Sequence, residues 1–145
     1  MKNILVIDDE IDICNNIKAI LADEGFNIHT AHNSDDAFSY INENSYNLII
    51  LDVWLDNSKY DGLEILKEIR KNETVPIIVI SGHGNIEMAV SAIKDGASEF
   101  IEKPFNTERL LLSVNRTIEL HEIKYENRVL KEGSIFEYKF IGKSS

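Results

Sequence analysis

The sequence lacks the features that mark secreted and membrane-spanning chains. Its 145 residues include a single cysteine, Cys14, which has no second cysteine in the chain to pair with. No apolar run approaches the roughly 18 to 20 residues of a membrane span, and no basic region followed by an apolar one opens the chain as in a signal peptide. These absences predict a cytoplasmic protein in a reducing compartment, with Cys14 either a small core residue or a reactive thiol.

Basic residues are also scarce, since 15 Lys and Arg stand against 25 Asp and Glu and give a formal net charge of -10. Proteins that grip nucleic acid do so mainly by neutralising its phosphates with basic side chains. The acidic excess lies within the first 120 residues. We therefore expect no direct binding of DNA or RNA by this chain.

Short apolar runs alternate with helical patterns along most of the chain. Each run is followed by apolar residues three to four positions apart, the spacing of a helix face, and Ser34 offers a hydroxyl to cap the second helix. The predicted strands are Ile4–Ile7, Phe26–Ala31, Leu48–Leu51, Val75–Ile80 and Glu99–Ile101. Five strand-helix units predict an α/β/α fold with a parallel sheet in the flavodoxin-like (CheY-like) order 2-1-3-4-5.

Polar side chains follow the strands that this order places side by side. They are Asp8 and Asp9 after the first strand, Asp52 after the third, Ser81 after the fourth and Lys103 after the fifth. Because the carboxyl ends of parallel strands meet at one edge, we expect these side chains to converge there. Carboxylates at ~4 Å repel one another, so such a pocket calls for a cation, either Mg²⁺ or the Lys103 ammonium group.

A carboxylate beside a divalent ion and a lysine can attack phosphorus and form an aspartyl phosphate. Each residue also has a plainer interpretation. Asp8, Asp9 and Glu10 would cap the following helix, Asp52 would begin a turn, Ser81 would belong to a loop, and Lys103 would be a surface lysine. Their joint position at the ends of four strands favours a common site.

The same residues carry a resemblance to a known family. Together with Asp61-Gly62-Leu63, Gly96-Ala97 and Lys103-Pro104-Phe105, they resemble the receiver domain of bacterial two-component response regulators over residues 2 to about 120. The resemblance implies that Asp52 is the phosphoacceptor and that Lys103 and Ser81 contact the phosphoryl group. It also implies a cis peptide bond before Pro104.

The resemblance further implies a metal site and a switch. Mg²⁺ would be bound by Asp9, Asp52 and the backbone carbonyl of Trp54, with Asp8 holding the ion through water. Phe100 matches the aromatic switch residue that moves inward as Ser81 shifts toward the phosphate. The chain would then be no enzyme in the ordinary sense, since it would catalyse only its own phosphoryl transfer and dephosphorylation.

The implied partners follow from this switch. A sensor histidine kinase would donate the phosphoryl group, and the rearrangement would alter the face formed by the fourth helix, fifth strand and fifth helix. A homodimer would form through that face or through a linker helix. Two alternatives remain: a free-standing receiver that relays phosphate, and a phosphohydrolase with an aspartyl phosphate. Such hydrolases carry a second Asp two residues after the nucleophile, where this chain has Trp54.

The loop after Asp52 and the end of the chain refine the resemblance. The loop is longer than usual and lacks proline, and with Trp54 and the segment 81–87 it looks like the NtrX branch of the NtrC-type nitrogen regulators. Helical spacing continues past Ile118 and should stop at Gly133, which predicts either a pairing linker helix or a solvated helix end. Residues 1–120 are thus predicted to be the receiver. Residues 121–145 are predicted to be a linker and the beginning of a missing sigma-54-activating AAA+ module.

Overall fold

The computed structural model describes residues 2–53, 61–82 and 86–133, with side chains as far as residue 124. Trp54, the loop 55–60 and the end of the chain at 134–145 lie outside the described residues. The predictions made for them therefore stay predictions.

Strands and helices alternate along the described chain as the sequence predicts. They are β1 (Asn3–Ile7), α1 (Ile11–Asp23), β2 (Asn27–Ala31), α2 (Ser34–Glu43), β3 (Leu48–Asp52), α3 (Gly62–Asn72), β4 (Ile77–Ser81), α4 (Ile86–Lys94), β5 (Glu99–Glu102) and α5 (Thr107–Gly133). The largest difference in a strand is that β4 starts two residues after the predicted Val75. Pro76 has no amide hydrogen to donate to the ladder, although its carbonyl still accepts from Ile49.

The five strands form one parallel sheet in the order β2-β1-β3-β4-β5. This confirms the flavodoxin-like order predicted from the sequence. The register pairs Ile7 with Leu51 and Asp52 with Ile80, and it pairs Ser81 with Glu102. The ends of β1, β3, β4 and β5 therefore lie at the same edge of the sheet.

The core consists of two apolar layers, one on each face of the sheet. Successive strand residues point to opposite faces, so Leu5 and Ile7 pack with α2, α3 and α4, whereas Ile4 and Val6 pack with α1 and α5. Cys14 lies in the second layer, where it is fully buried as a free thiol. Burial raises the pKa of this thiol to about 12, which favours the core residue over the reactive thiol.

The cap of α2 differs from the prediction. Ser34 is the first residue of the helix, and Asn33 before it accepts the hydrogen bond from the Asp36 amide through its side chain, at 2.8 Å. The backbone of Asn33 is extended, as a capping residue requires, whereas that of Ser34 is already helical. The prediction of Ser34 as the capping residue was therefore wrong by one position.

Helix α5 is much longer than the other helices. Its 27 residues correspond to about 40 Å. Leu110, Val114 and Ile118 bury one side of its first half in the core, and an ion pair joins Glu122 to Lys2 at the start of the sheet. The predicted continuation of the helix past Ile118 is confirmed. Among the described residues, no helix combines the length and apolar character of a membrane span.

Candidate functional site

The acidic pocket lies at the carboxyl edge of the sheet, where the ends of β1, β3, β4 and β5 meet. Asp8, Asp52 and Ser81 are buried there. The ammonium nitrogen of Lys103 lies 3.2 Å from Asp52 Oδ2 and 3.5 Å from Asp8 Oδ2. It also lies 3.3 Å from Glu10 Oε1. The structure thus brings together residues that are far apart in sequence, and it adds Glu10 to them.

Backbone contacts at the end of β1 fix the orientation of Asp8. Its amide donates to the Ala31 carbonyl at 3.0 Å, and its Oδ1 accepts from the Glu10 amide at 2.9 Å. Behind it, Cys14 Sγ and His32 Nδ1 contact the Asp8 carbonyl oxygen at 3.3 Å and 3.0 Å. Neither contact could be predicted from the spacing of these residues. Asp8 Oδ2 is buried and has no hydrogen-bond partner among the described residues, so this oxygen is directed to the pocket.

The backbone after Asp52 is held by β4 and by the start of α3. The Val53 amide donates to Ile80, and the Val53 carbonyl accepts from Gly62, both at 3.0 Å. Gly62 approaches so closely that an added Cβ would overlap the Asp52 carbonyl oxygen and Val53 Cα. Only glycine fits at this contact. Asp61 caps α3 just before it in a capping box with Glu64.

The ends of β4 and β5 position Ser81 and Lys103 beside each other. The Lys103 amide donates to the Ser81 carbonyl at 2.8 Å, and Ser81 Oγ contacts the Gly82 carbonyl at 3.2 Å. The Lys103–Pro104 peptide bond is cis, the conformation that the resemblance implied. Phe100 is half-buried on β5 against the core layer that contains α3 and α4.

Electrostatics in the pocket are those of a site with more acid than one lysine neutralises. Burial, followed by the nearby charge of Asp52, raises the pKa of Asp8 to about 7, although the Glu10 amide and Lys103 act in the opposite direction. Burial alone would lower the pKa of Lys103, but the charges of Asp52 and Asp8 raise it overall. Lys103 therefore stays protonated at neutral pH, while burial makes the ionisation of Asp8 costly.

The donor set fits a hard divalent cation. Carboxylate oxygens of Asp8, Glu10 and Asp52 lie within 4.8 Å of one another. Such oxygens are what Mg²⁺ prefers, usually with one or two carboxylates and several waters. A bound cation would stabilise the negative charge on the buried Asp8 Oδ2 and would lower the pKa of Asp8. Asp9 is half-buried next to this group, and Glu10 was not singled out from the sequence because it resembles any acid before a helix.

The scan against protein families decides the class of the protein. The sequence model of the response regulator receiver domain matches residues 4–115. The chain belongs to this family. The match covers the sheet except its first residue, Asn3, and the first part of α5, and it contains every residue of the pocket.

Similar proteins of known name place this receiver within the family. It is 46% identical over 144 residues to an NtrX-like response regulator of Rickettsia bellii, covering 99% of this chain and 30% of that protein. It is also 46% identical to the nitrogen assimilation regulatory protein NtrX of Azorhizobium caulinodans, covering 99% of this chain and 32% of that protein. The chain spans about a third of the length of these curated relatives. The predicted resemblance to the NtrX branch is confirmed.

Solved structures agree with the fold. A crystal structure of NtrX from Brucella abortus superimposes with a TM-score of 0.87 at 48% identity, covering 89% of this chain and 29% of that one. The receiver domain of NtrX from Brucella abortus gives a TM-score of 0.78 at 50% identity, covering 80% of this chain and 98% of that one. The present chain therefore has the receiver fold.

Proposed function

We propose that this receiver is a phosphorylation-activated switch with Asp52 as its phosphoacceptor. The observation that carries the proposal is the position of Asp52, which is buried at the end of the central strand with its carboxylate 3.2 Å from the Lys103 ammonium group. A carboxylate oxygen of Asp52 attacks phosphorus as the phosphorus–nitrogen bond to a kinase histidine breaks. The phosphoryl group then rests on Asp52 as an acyl phosphate.

The proposed cofactor is Mg²⁺, held by Asp9, Asp52 and the Trp54 backbone carbonyl, with Asp8 acting through water. The ion would neutralise charge on the phosphoryl oxygens. The acidic pocket supports this proposal because its oxygens suit a hard cation and because the cost of ionising Asp8 falls when a cation is bound.

Lys103 and Ser81 are proposed to contact the transferred phosphoryl group. Lys103 supplies positive charge from a fixed position, and the Ser81 hydroxyl donates a hydrogen bond to a phosphoryl oxygen. Support comes from the 2.8 Å backbone hydrogen bond between the two residues, which ties the end of β4 to the end of β5.

The output of the switch is proposed to be a change in the face formed by α4, β5 and α5. Movement of Ser81 toward the phosphoryl group lets Phe100 on the neighbouring strand move inward. Exposed apolar side chains of α4, namely Ile86, Val90 and Ile93, support a binding role for this face. A homodimer through this face or through the extended α5 would be its product.

The longer relatives indicate the context of the switch. The NtrX protein of Azorhizobium caulinodans is named for nitrogen assimilation, and ZraR of Salmonella typhimurium, a transcriptional regulatory protein, is 30% identical over 143 residues. We propose that a sensor histidine kinase phosphorylates this receiver in the cytoplasm. The receiver would control a sigma-54-dependent output module beyond a linker at residues 121–145.

Incubation with a small phosphodonor and Mg²⁺ tests the acceptor. Intact mass should increase by one phosphate, and hydroxylamine should remove it because an acyl phosphate is cleaved by that nucleophile. Asp52→Ala should lose the label completely. The exposed Asp35→Ala should keep it, which controls for the loss of one carboxylate. Equal labelling of Asp52→Ala and the wild type would contradict the proposal.

A further inference from the structure

The Lys103 ammonium group has three carboxylate partners rather than the two that the strand ends supply. Its nitrogen lies 3.2 Å from Asp52, 3.3 Å from Glu10 and 3.5 Å from Asp8. The contacts with Asp52 and Glu10 are hydrogen bonds, and the contact with Asp8 is an ion pair. Glu10 thus shares the lysine with the two buried acids.

The three partners differ sharply in burial. The side chains of Asp8 and Asp52 are 1% and 4% exposed, whereas that of Glu10 is 60% exposed. Glu10 therefore contacts Lys103 from the solvent side of the pocket. A contact on that side pulls the ammonium group toward solvent while the group still contacts the buried acids.

The side chain of Glu10 has no other evident use in the local structure. Glu10 occupies the capping position of α1, but its side chain makes no capping hydrogen bond. Its backbone, by contrast, is fixed by the hydrogen bond from its amide to Asp8 Oδ1 at 2.9 Å. The carboxylate is thereby directed to a lysine 93 residues away in sequence.

We propose that Glu10 is a positioning residue for Lys103, competing with Asp52 and Asp8 for the ammonium group so that a divalent cation and a phosphoryl group can reach Asp52. The inference rests on the proposed function of the site. Lys103 and a divalent cation compete for the same inner carboxylates. Without Glu10, Lys103 keeps only its two inner partners, so its contacts with Asp52 and Asp8 tighten and oppose the cation.

The test is the Mg²⁺ dissociation constant of the unphosphorylated chain, measured by isothermal titration calorimetry. Four proteins form a cycle: the wild type, Glu10→Gln, Lys103→Met and the double variant. Glu10→Gln should weaken Mg²⁺ binding about fivefold, the upper range for an exposed ion pair. In the Lys103→Met background the same substitution should weaken binding less than twofold, because there is no lysine to position.

A direct action of Glu10 on the ion gives the opposite pattern. The weakening would then be as large or larger in the Lys103→Met background, and that result would overturn the proposal. Asp12→Asn removes the same charge from the first turn of α1 and should change the constant less than twofold. A fivefold effect of Asp12→Asn would also overturn it, because charge alone would then suffice.

The result of this cycle is independent of the labelling test of the proposed function. Labelling of Asp52→Ala decides whether Asp52 accepts the phosphoryl group, and it involves neither Glu10 nor the cycle. The cycle measures Mg²⁺ binding by unphosphorylated protein, so it has a result even if Asp52 is not the acceptor. Urea unfolding of each variant confirms that it is folded before titration.

Discussion

The edge of the sheet at the amino ends of the strands and the edge at their carboxyl ends differ in how their polar groups are paired. At the amino edge, the Asn3 amide donates to Asn47 Oδ1 at 2.8 Å, and Asn27 Nδ2 donates to Asn3 Oδ1 at 2.9 Å. These groups are neutral and satisfy one another. At the carboxyl edge, Asp8 Oδ2 is buried with no hydrogen bond from the described part of the chain, although Lys103 lies 3.5 Å away, and burial raises the pKa of Asp8 to about 7. One edge is therefore arranged for stability, and the other keeps unmet charge for a ligand.

The difference implies that stability and function can be changed separately. Substitutions at the amino edge should lower the free energy of unfolding and leave phosphorylation intact. Removal of the buried charge at the carboxyl edge should raise the free energy of unfolding and impair phosphorylation, since active sites commonly contain destabilising charge. The predictions below run from the largest expected effect to the smallest.

Gly62→Ala tests whether the carboxyl edge also contains a purely structural contact. The added Cβ would overlap the backbone at Asp52 and Val53, which cannot move aside without disturbing β3. We expect a loss of about 3 kcal/mol in the free energy of unfolding, measured in urea. Gly82→Ala is the control, because a Cβ there meets nothing within 4 Å. Equal stability of the two variants would show that the contact at Gly62 is loose.

Asp8→Asn tests the buried charge. The native pKa of about 7 lies above the ordinary 3.8, so the native state holds a proton that the unfolded state releases. Wild-type stability should therefore fall as pH rises from about 4 to 7 in EDTA. The variant lacks this fall and should be more stable by about 2 kcal/mol at pH 8, with little difference at pH 4.

The matched control for this substitution is Asp12→Asn, which removes an exposed carboxylate from the first turn of α1. It should leave the pH dependence of unfolding close to that of the wild type. Labelling by the phosphodonor should fall in Asp8→Asn while its stability rises. A stability difference that is the same at pH 4 and pH 8 would show that the charge is not its source.

Arg70→Met tests the amino edge at α3. Arg70 is half-buried and donates through Nε to the Gly96 carbonyl at 2.9 Å and through Nη1 to the Glu73 carbonyl at 3.1 Å. Loss of these bonds should cost about 1.5 kcal/mol. Lys67→Met on the same helix, where the side chain is largely exposed, should cost little. The rate of labelling by the phosphodonor should be unchanged in both variants. Slower labelling of Arg70→Met would contradict the separate roles of the two edges.

Asn47→Ala gives the smallest expected effect. It removes the acceptor for the Asn3 amide and should lower the free energy of unfolding by about 1 kcal/mol. Asn16→Ala on the exposed side of α1 is the control and should not lower stability. Thermal unfolding of the two variants side by side measures the difference. A drop in labelling by Asn47→Ala at unchanged stability would contradict the division between the edges.

The carboxyl edge could be predicted from the sequence because its signals are local. Each apolar run stops at a polar residue, and the alternation of strands and helices fixes which ends meet. Asp8, Asp52 and Lys103 could therefore be placed together from the sequence alone. The contact of Glu10 with Lys103 could not be predicted from the sequence. The two residues are 93 positions apart, and their contact depends on the orientation of both side chains in the folded protein.

Other details were hidden for physical reasons. Asn33 and Ser34 can both cap a helix, and the backbone angles that decide between them are not visible in the pattern. The asparagines of the amino edge resemble turn residues, and nothing in their spacing shows that Asn3, Asn27 and Asn47 meet. Contacts between side chains from separate turns require the folded register.

The length of α5 makes the position of its far end sensitive to small tilts of the helix. The helix packs on the core as far as Ile118 and is joined to Lys2 through Glu122, and from Ile118 to Gly133 it extends about 22 Å. If this part of α5 moves as a rigid rod, a tilt of about 10° at Ile118 displaces Gly133 by about 4 Å. A small tilt of the helix on the core would therefore give a larger displacement at its far end.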